Sequence, residues 1–126
     1  MPTISLVFAG LAGVLNVGFF VLESILFRKP FAYRSFGVKD EAEAEMLSFS
    51  MLNQGFYNLF LGLGVIVGVI GCVRGWDPQG STLVVYGALF MVGAALVLVV
   101  AKPAMARAAV VQGALPLLAL LSAWLL

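Results

Sequence analysis

Residues 51 to 64, MLNQGFYNLFLGLG, begin an apolar stretch that continues through LGVIVGVIGCV to residue 73. The hydrocarbon core of a bilayer is about 30 Å thick, and a helix needs about 20 mostly apolar residues to cross it. This stretch is long enough, and it is apolar on every side, whereas the strands of a membrane barrel alternate between apolar and polar positions. It therefore predicts a membrane-spanning helix, and it raises the question of why Asn53, Gln54 and Asn58 lie within it.

The rest of the chain is similarly apolar. Of its 126 residues, 63% are hydrophobic and 10% are charged, against a charged fraction of about 25% in soluble domains. Four windows are long and apolar enough to span a bilayer, at residues 4–27, 46–73, 81–101 and 104–126. We therefore predict an all-α fold, an integral membrane bundle of four antiparallel helices that forms a single domain over residues 1–126.

The composition argues against several kinds of chemistry. The chain has no histidine and a single cysteine, Cys72. It therefore lacks the commonest metal ligand and the usual general base, and it has no intrachain disulfide or CxxC redox pair. We predict no metal site and no cofactor. The net charge is +1 without a basic tail, so we expect no nucleic-acid partner.

The cationic residues predict how the spans are oriented. Of the seven Lys and Arg residues, four lie in the first loop, two lie around the third loop, and only Arg74 lies in the second. Cytoplasmic loops of multi-pass proteins carry an excess of Lys and Arg. We therefore predict that the first and third loops are cytoplasmic and that both termini are outside.

The first loop carries signals for the end of one helix and the start of the next. Pro30 predicts the end of the first helix. Asp40, followed by Glu43, matches an N-cap with an acidic residue at the third position, which suits the helix dipole. Between them, aromatic residues alternate with cations, a composition suited to the headgroup layer. Membrane lipid is therefore an expected partner.

Strongly polar side chains inside the predicted spans lie at similar depths. Glu23 is five residues before Arg28, hence roughly 7 Å from the cytoplasmic boundary at about 1.5 Å of rise per residue. Asn53, Gln54 and Gln112 reach a similar depth from their own helices, and Asn16 and Asn58 lie nearer the midplane. Groups from three helices thus share the inner half of the bilayer.

The spacing of these residues places them on common helix faces. Asn16 and Glu23 are seven residues apart, and Gln54 and Asn58 are four apart, so each pair lies on one face. A charged side chain at a helix centre costs about 2.5 to 3.5 kcal/mol on translocon scales. We therefore expect Glu23 to face the interior of the bundle.

Two interpretations of the polar cluster stay open. In the first, interhelical hydrogen bonds of roughly 0.6 kcal/mol each hold the helices together, and Glu23 forms a salt bridge with Arg107 or Arg28. In the second, the cluster lines a cavity that binds a small lipophilic or amphipathic ligand, and Glu23 is the best catalytic candidate, as a proton donor or acceptor. The predicted ligand-binding residues are Asn16, Glu23, Asn53, Gln54, Tyr57, Asn58 and Gln112.

Three segments carry a family resemblance: VLE at the end of the first span, NQGFYNLFLGLG in the second and VQGALP in the fourth. Over essentially the whole chain, the sequence resembles the small bacterial membrane proteins known as domain of unknown function thirteen-oh-four. The resemblance implies a four-span protein of the bacterial cytoplasmic (inner) membrane, without an established activity. The family's marked positions fall here on Glu23, Asn53, Gln54, Gly55, Tyr57, Asn58, Gln112, Gly113 and Pro116. Members often carry a histidine about where this chain has Asn16. A mechanism that needs that imidazole is therefore not implied for this chain.

Three functions remain open on this basis. The first is a membrane protein that binds, or acts on, a small lipophilic molecule through Glu23. The second is a small proton-coupled transporter that uses Glu23, although its fourth span is leucine-rich where small exporters carry glycines. The third is a structural or accessory subunit whose polar cluster fixes the helix register. Gly64 and Gly68 form a GxxxG pattern, which serves packing within the chain or a homo-oligomer.

Overall fold

The computed structural model describes residues 1 to 126 and contains helices without any strand. Helix α1 (Thr3–Phe20) continues into a π-helical turn (Val21–Ile25), and a short helix α2 (Pro30–Ser35) follows. Helix α3 (Glu41–Val73) and helix α4 (Gln79–Ala101) come next, and a 3₁₀ turn (Pro103–Met105) leads into α5 (Ala106–Leu125). The predicted all-α class is confirmed.

Four of these segments are long and apolar enough to cross a membrane. They are Thr3–Ile25, Glu41–Val73, Gln79–Ala101 and Pro103–Leu125. Each overlaps one predicted window, and the largest difference is at α3, which begins at Glu41 rather than at residue 46. The sequence was therefore sufficient to place four spans, because a run of about 20 apolar residues is the requirement for crossing lipid.

The four long helices pack in a ring. Helix α1 lies between α3 and α5, helix α4 lies between the same two on the other side, and the diagonal pair α1 and α4 barely touches. Ser5 of α1 contacts Ser122 of α5, with a distance of 2.7 Å between the two Oγ atoms, so these helices run antiparallel. We call the end with residues 1, 126 and 74–78 the terminal end, and the end with residues 26–40 and 102–105 the loop end.

Alanine, valine and methionine side chains fill the centre of the bundle. The core consists of Ala9, Ala12, Val65, Val84, Met91 and Ala119. Small residues let membrane helices approach closely, and a Cβ atom on Gly68 of α3 would lie 2.9 Å from the carbonyl oxygen of Gly80 of α4. Gly64, the other glycine of the GxxxG pattern, has no atom within 4 Å of its Cβ position. The close contact of this pattern is therefore made within the chain by Gly68.

The first loop folds back onto the bundle. Helix α1 already ends at its π-helical turn, and Pro30 occupies the first turn of α2. The first helix therefore ends before Pro30, and the proline starts a helix, which its fixed φ angle favours. Buried side chains from this loop and from α3 close the loop end, namely Phe27, Tyr33, Val38 and Ala44.

The start of α3 has the predicted cap. Asp40 Oδ1 accepts a hydrogen bond from the Glu43 backbone N–H at 2.8 Å. The Glu43 carboxylate in turn accepts from the Lys39 backbone N–H at 3.3 Å. The first of these bonds satisfies a free N–H group in the first turn of the helix. The predicted N-cap at Asp40 is confirmed.

Candidate functional site

Glu23 lies in the π-helical turn that ends α1, and it is 2% exposed. The Leu26 N–H donates to the carbonyl oxygen of Val21 at 2.9 Å. This turn therefore holds one residue more than an α-helical turn, which changes the direction of the side chains around it. The turn packs against α3. Glu23 is thus buried inside the bundle, against α3.

Two amides of α3 hold the Glu23 carboxylate. Asn58 Nδ2 donates to Oε1 at 2.5 Å, and Gln54 Nε2 donates to Oε2. The two amides are adjacent on the surface of α3 because they are four residues apart. Each carboxylate oxygen therefore accepts one hydrogen bond, and the carboxylate is fixed in one orientation.

Glu23 has no cation as a partner. The single salt bridge of the chain joins Arg28 Nη2 to Glu45 Oε1 at 3.2 Å, between side chains that are 68% and 61% exposed. The salt bridges from Glu23 to Arg28 or Arg107 that the sequence left open do not form. Glu23 is therefore a buried carboxylate that is held by amides alone.

Gly55 determines how closely α1 and α3 approach at the site. A Cβ atom at this position would overlap Ser24 Oγ and would lie 3.0 Å from Ser24 Cβ. Ser24 Oγ donates to the carbonyl oxygen of Leu52 at 2.7 Å, so the π-helical turn lies directly on the backbone of α3. Within NQGFYN, the glycine thus permits the contact, and Gln54 and Asn58 bind the carboxylate.

A cleft of about 240 Å³ opens beside Glu23 at the loop end of the bundle. Its walls come from the π-helical turn, the residues just after it and one part of α3. They consist of Glu23, Ser24, Ile25, Phe27, Arg28, Ser48, Phe49 and Leu52. The cleft therefore combines a buried carboxylate, two hydroxyls and an exposed guanidinium with apolar walls.

The other predicted site residues lie outside this cleft. Asn53 and Tyr57 are on the exposed face of α3, where Tyr57 is 69% exposed. Asn16 is buried in α1, where its Nδ2 donates to the Ala12 carbonyl oxygen at 3.0 Å and its Oδ1 has no partner. Gln112 is half-buried on α5. The structure thus brings together Glu23 with Gln54 and Asn58, and no hydrogen bond joins the remaining predicted residues to these three.

Several residues that line the cleft were not among the predicted site residues. Ser24 and Ser48 are single hydroxyls without a distinctive pattern around them. Spacing on α3 offers one signal, because Ser48, Leu52 and Gly55 are separated by four and three residues and share a helix face. That face is the one that lies against the π-helical turn.

A family model described as protein of unknown function (DUF1304) matches residues 10–124. This range includes the π-helical turn, the NQGFYN segment and all of the cleft. No curated protein and no solved structure matches the chain.

Proposed function

This chain belongs to the DUF1304 family of proteins of unknown function, and from that starting point we propose that it binds one small amphipathic molecule. The polar head of the molecule lies at Glu23, and its apolar part extends toward the lipid. The observation that supports this proposal is a buried carboxylate, without a cation partner, in the wall of an open cleft. Ionisable residues within membrane spans most often mark functional sites.

The size of the cleft favours a head group rather than a whole drug-sized molecule. Its volume is about 240 Å³, whereas pockets for drug-sized ligands measure about 300 to 1,000 Å³. Ile25 and Phe49 line the cleft and are 63% and 78% exposed. They offer an apolar path from the cleft to the lipid. A head group with its first few carbons fits inside, and the rest of a chain lies outside.

The choice of a carboxylate at position 23 also supports binding. An interhelical contact needs only a neutral amide, and a charged side chain in a span costs about 2.5 to 3.5 kcal/mol. Gln54 and Asn58 offset part of this cost and hold the carboxylate in place before any ligand arrives. A fixed acceptor of this kind lowers the entropy cost of binding.

We also propose that the loop end, with its cleft, faces the cytoplasm. Six of the seven Lys and Arg residues belong to that end and Arg74 to the other, and cytoplasmic loops carry such an excess.

The test of this orientation is the labelling of intact cells with a membrane-impermeant maleimide, in Ser35→Cys and Asp77→Cys variants that lack Cys72. Labelling of the Asp77→Cys variant alone is expected, and labelling of the Ser35→Cys variant alone contradicts the proposal. A bacterial cytoplasmic membrane is the location that the family resemblance implies.

The binding proposal is tested by native mass spectrometry of protein extracted gently from its own host. Wild type is compared with Glu23→Gln and with Glu41→Gln, which makes the same charge change at an exposed position in the first turn of α3. We expect a defined bound molecule in wild type and in Glu41→Gln, and its loss in Glu23→Gln. Equal occupancy in all three proteins, or an empty wild type, contradicts the proposal and favours a structural role for Glu23.

A further inference from the structure

We infer that the cleft selects a positively charged head, that of a lipophilic ammonium compound. The inference rests on the proposed function and names the class of molecule that the same site takes. Three features of the cleft support it: the charges around it, the hydrogen-bonding positions that remain unused, and the aromatic side chains in its walls.

The charges at the cleft do not cancel. Arg28 is in the cleft wall, but its guanidinium is paired with Glu45 at 3.2 Å and both side chains are largely exposed. Glu23 is 2% exposed and has no such partner. When Glu23 is ionised, the three groups together carry one net negative charge, and that charge is the one buried. Because electrostatic interactions strengthen as solvent is excluded, Glu23 dominates the choice of ligand.

The hydrogen-bonding capacity that remains in the cleft is that of an acceptor. A carboxylate has about four acceptor positions, and the two amides occupy one on each oxygen of Glu23. The hydroxyl donor of Ser24 is already committed to the Leu52 carbonyl oxygen at 2.7 Å. The Arg28 guanidinium donates to Ser48 Oγ at 3.5 Å in addition to its salt bridge. An ammonium group supplies donors without requiring an acceptor.

The aromatic walls favour the same head. Phe27 and Phe49 both line the cleft, and the faces of aromatic rings attract cations. A carboxylate head meets the opposite situation, because Glu23 repels it and the only cation, Arg28, is already neutralised by Glu45. A neutral alcohol donates one hydrogen bond to Glu23 but gains no attraction between charges.

The test uses three probes with the same chain, namely dodecylamine, dodecanol and dodecanoate. Each is titrated into wild type, Glu23→Gln and Glu41→Gln in nanodiscs of zwitterionic lipid, with empty nanodiscs as the blank for partition into lipid. Occupancy is read by native mass spectrometry. We expect dodecylamine to bind wild type about tenfold more tightly than either other probe. We expect its affinity to fall about tenfold in Glu23→Gln and to stay unchanged in Glu41→Gln, as for loss of a charge-assisted hydrogen bond.

The outcomes separate this inference from the proposed function. Glu23-dependent binding of dodecanol or dodecanoate that equals that of dodecylamine overturns the selectivity for cations and leaves the proposed function in place. The absence of Glu23-dependent binding for every probe overturns both. Arg28→Gln changes a charge on the exposed rim of the cleft. It tests the inference even if the Glu23→Gln protein does not fold. It is expected to tighten dodecylamine binding by about threefold, as for an exposed charge, and a weakening overturns the inference.

Discussion

Gly55 of α3 lies so close to Ser24 of the π-helical turn that no Cβ atom fits at position 55. This approach lets Ser24 Oγ donate to the Leu52 carbonyl oxygen. It also brings Glu23, the residue before Ser24, to the amides of Gln54 and Asn58. The carboxylate site therefore depends on the contact between the Ser24 side chain and the α3 backbone at Gly55, as well as on its polar groups.

A methyl group at Gly55 is expected to separate α1 from α3. Gly55→Ala creates an overlap with Ser24, and overpacking of this kind costs about 1 to 3 kcal/mol. The measurement is the free energy of unfolding in mixed micelles with increasing SDS. Gly64→Ala is the control in the same helix, because nothing lies within 4 Å of its Cβ position. The control is expected to be neutral or to gain up to about 1 kcal/mol from helix propensity. Equal stability of the two variants would falsify the close approach.

The bond between Asn58 and Glu23 is expected to appear as a coupling energy. Asn58→Ala removes the donor to Oε1, and loss of a hydrogen bond to a charged group costs about 1.5 to 3 kcal/mol. In a double-mutant cycle with Glu23→Gln, we expect a coupling of at least about 0.5 kcal/mol. Asn53→Ala, on the exposed face, is expected to change stability by less than about 0.5 kcal/mol. Additive effects of the Asn58 and Glu23 substitutions contradict a direct bond.

Removal of the Asn16 amide is expected to preserve or increase stability. Asn16 is 1% exposed, and its Oδ1 has no hydrogen-bond partner. An unsatisfied buried polar group costs about 1 to 3 kcal/mol, and leucine branches at Cγ as asparagine does but carries no polar atom. We therefore expect Asn16→Leu to gain about 1 kcal/mol in the free energy of unfolding. A loss of comparable size would mean that Oδ1 has a partner in the membrane, such as a buried water molecule.

The ring order of the helices predicts a specific cross-link. The Ser5 and Ser122 Oγ atoms are 2.7 Å apart, and a disulfide requires Cβ atoms about 3.5 to 4.5 Å apart. In a background without Cys72, the Ser5→Cys and Ser122→Cys double variant is expected to lose two hydrogen atoms on mild oxidation, as measured by intact mass. Ser5→Cys with Ser50→Cys, at opposite ends of the bundle, is the control pair. A cross-link in the control pair at equal yield contradicts the antiparallel ring.

The residues that the sequence could not place are those whose position depends on rotation about a helix axis. Depth along a helix follows from counting residues, so Glu23, Gln54 and Asn53 were all expected at one level. Which of them meet depends on the angle at which each helix faces its neighbour. The π-helical turn at Val21–Ile25 changes this angle in α1. As a result Gln54 donates a hydrogen bond to Glu23, while the adjacent Asn53 makes none.

The sequence by itself determined the four spans, the cap of α3 at Asp40 and the burial of Glu23. Each of these follows from a local cost: apolar length against bilayer thickness, free N–H groups at a helix start, and a charge that avoids lipid. Only the tertiary structure decided that Gln54 and Asn58 hold the carboxylate, and that Ser24, Phe27 and Phe49 form a cleft beside it. The physical reason is that these contacts join α1 and its following loop to α3, and their geometry is set by how closely Gly55 lets the two helices pack.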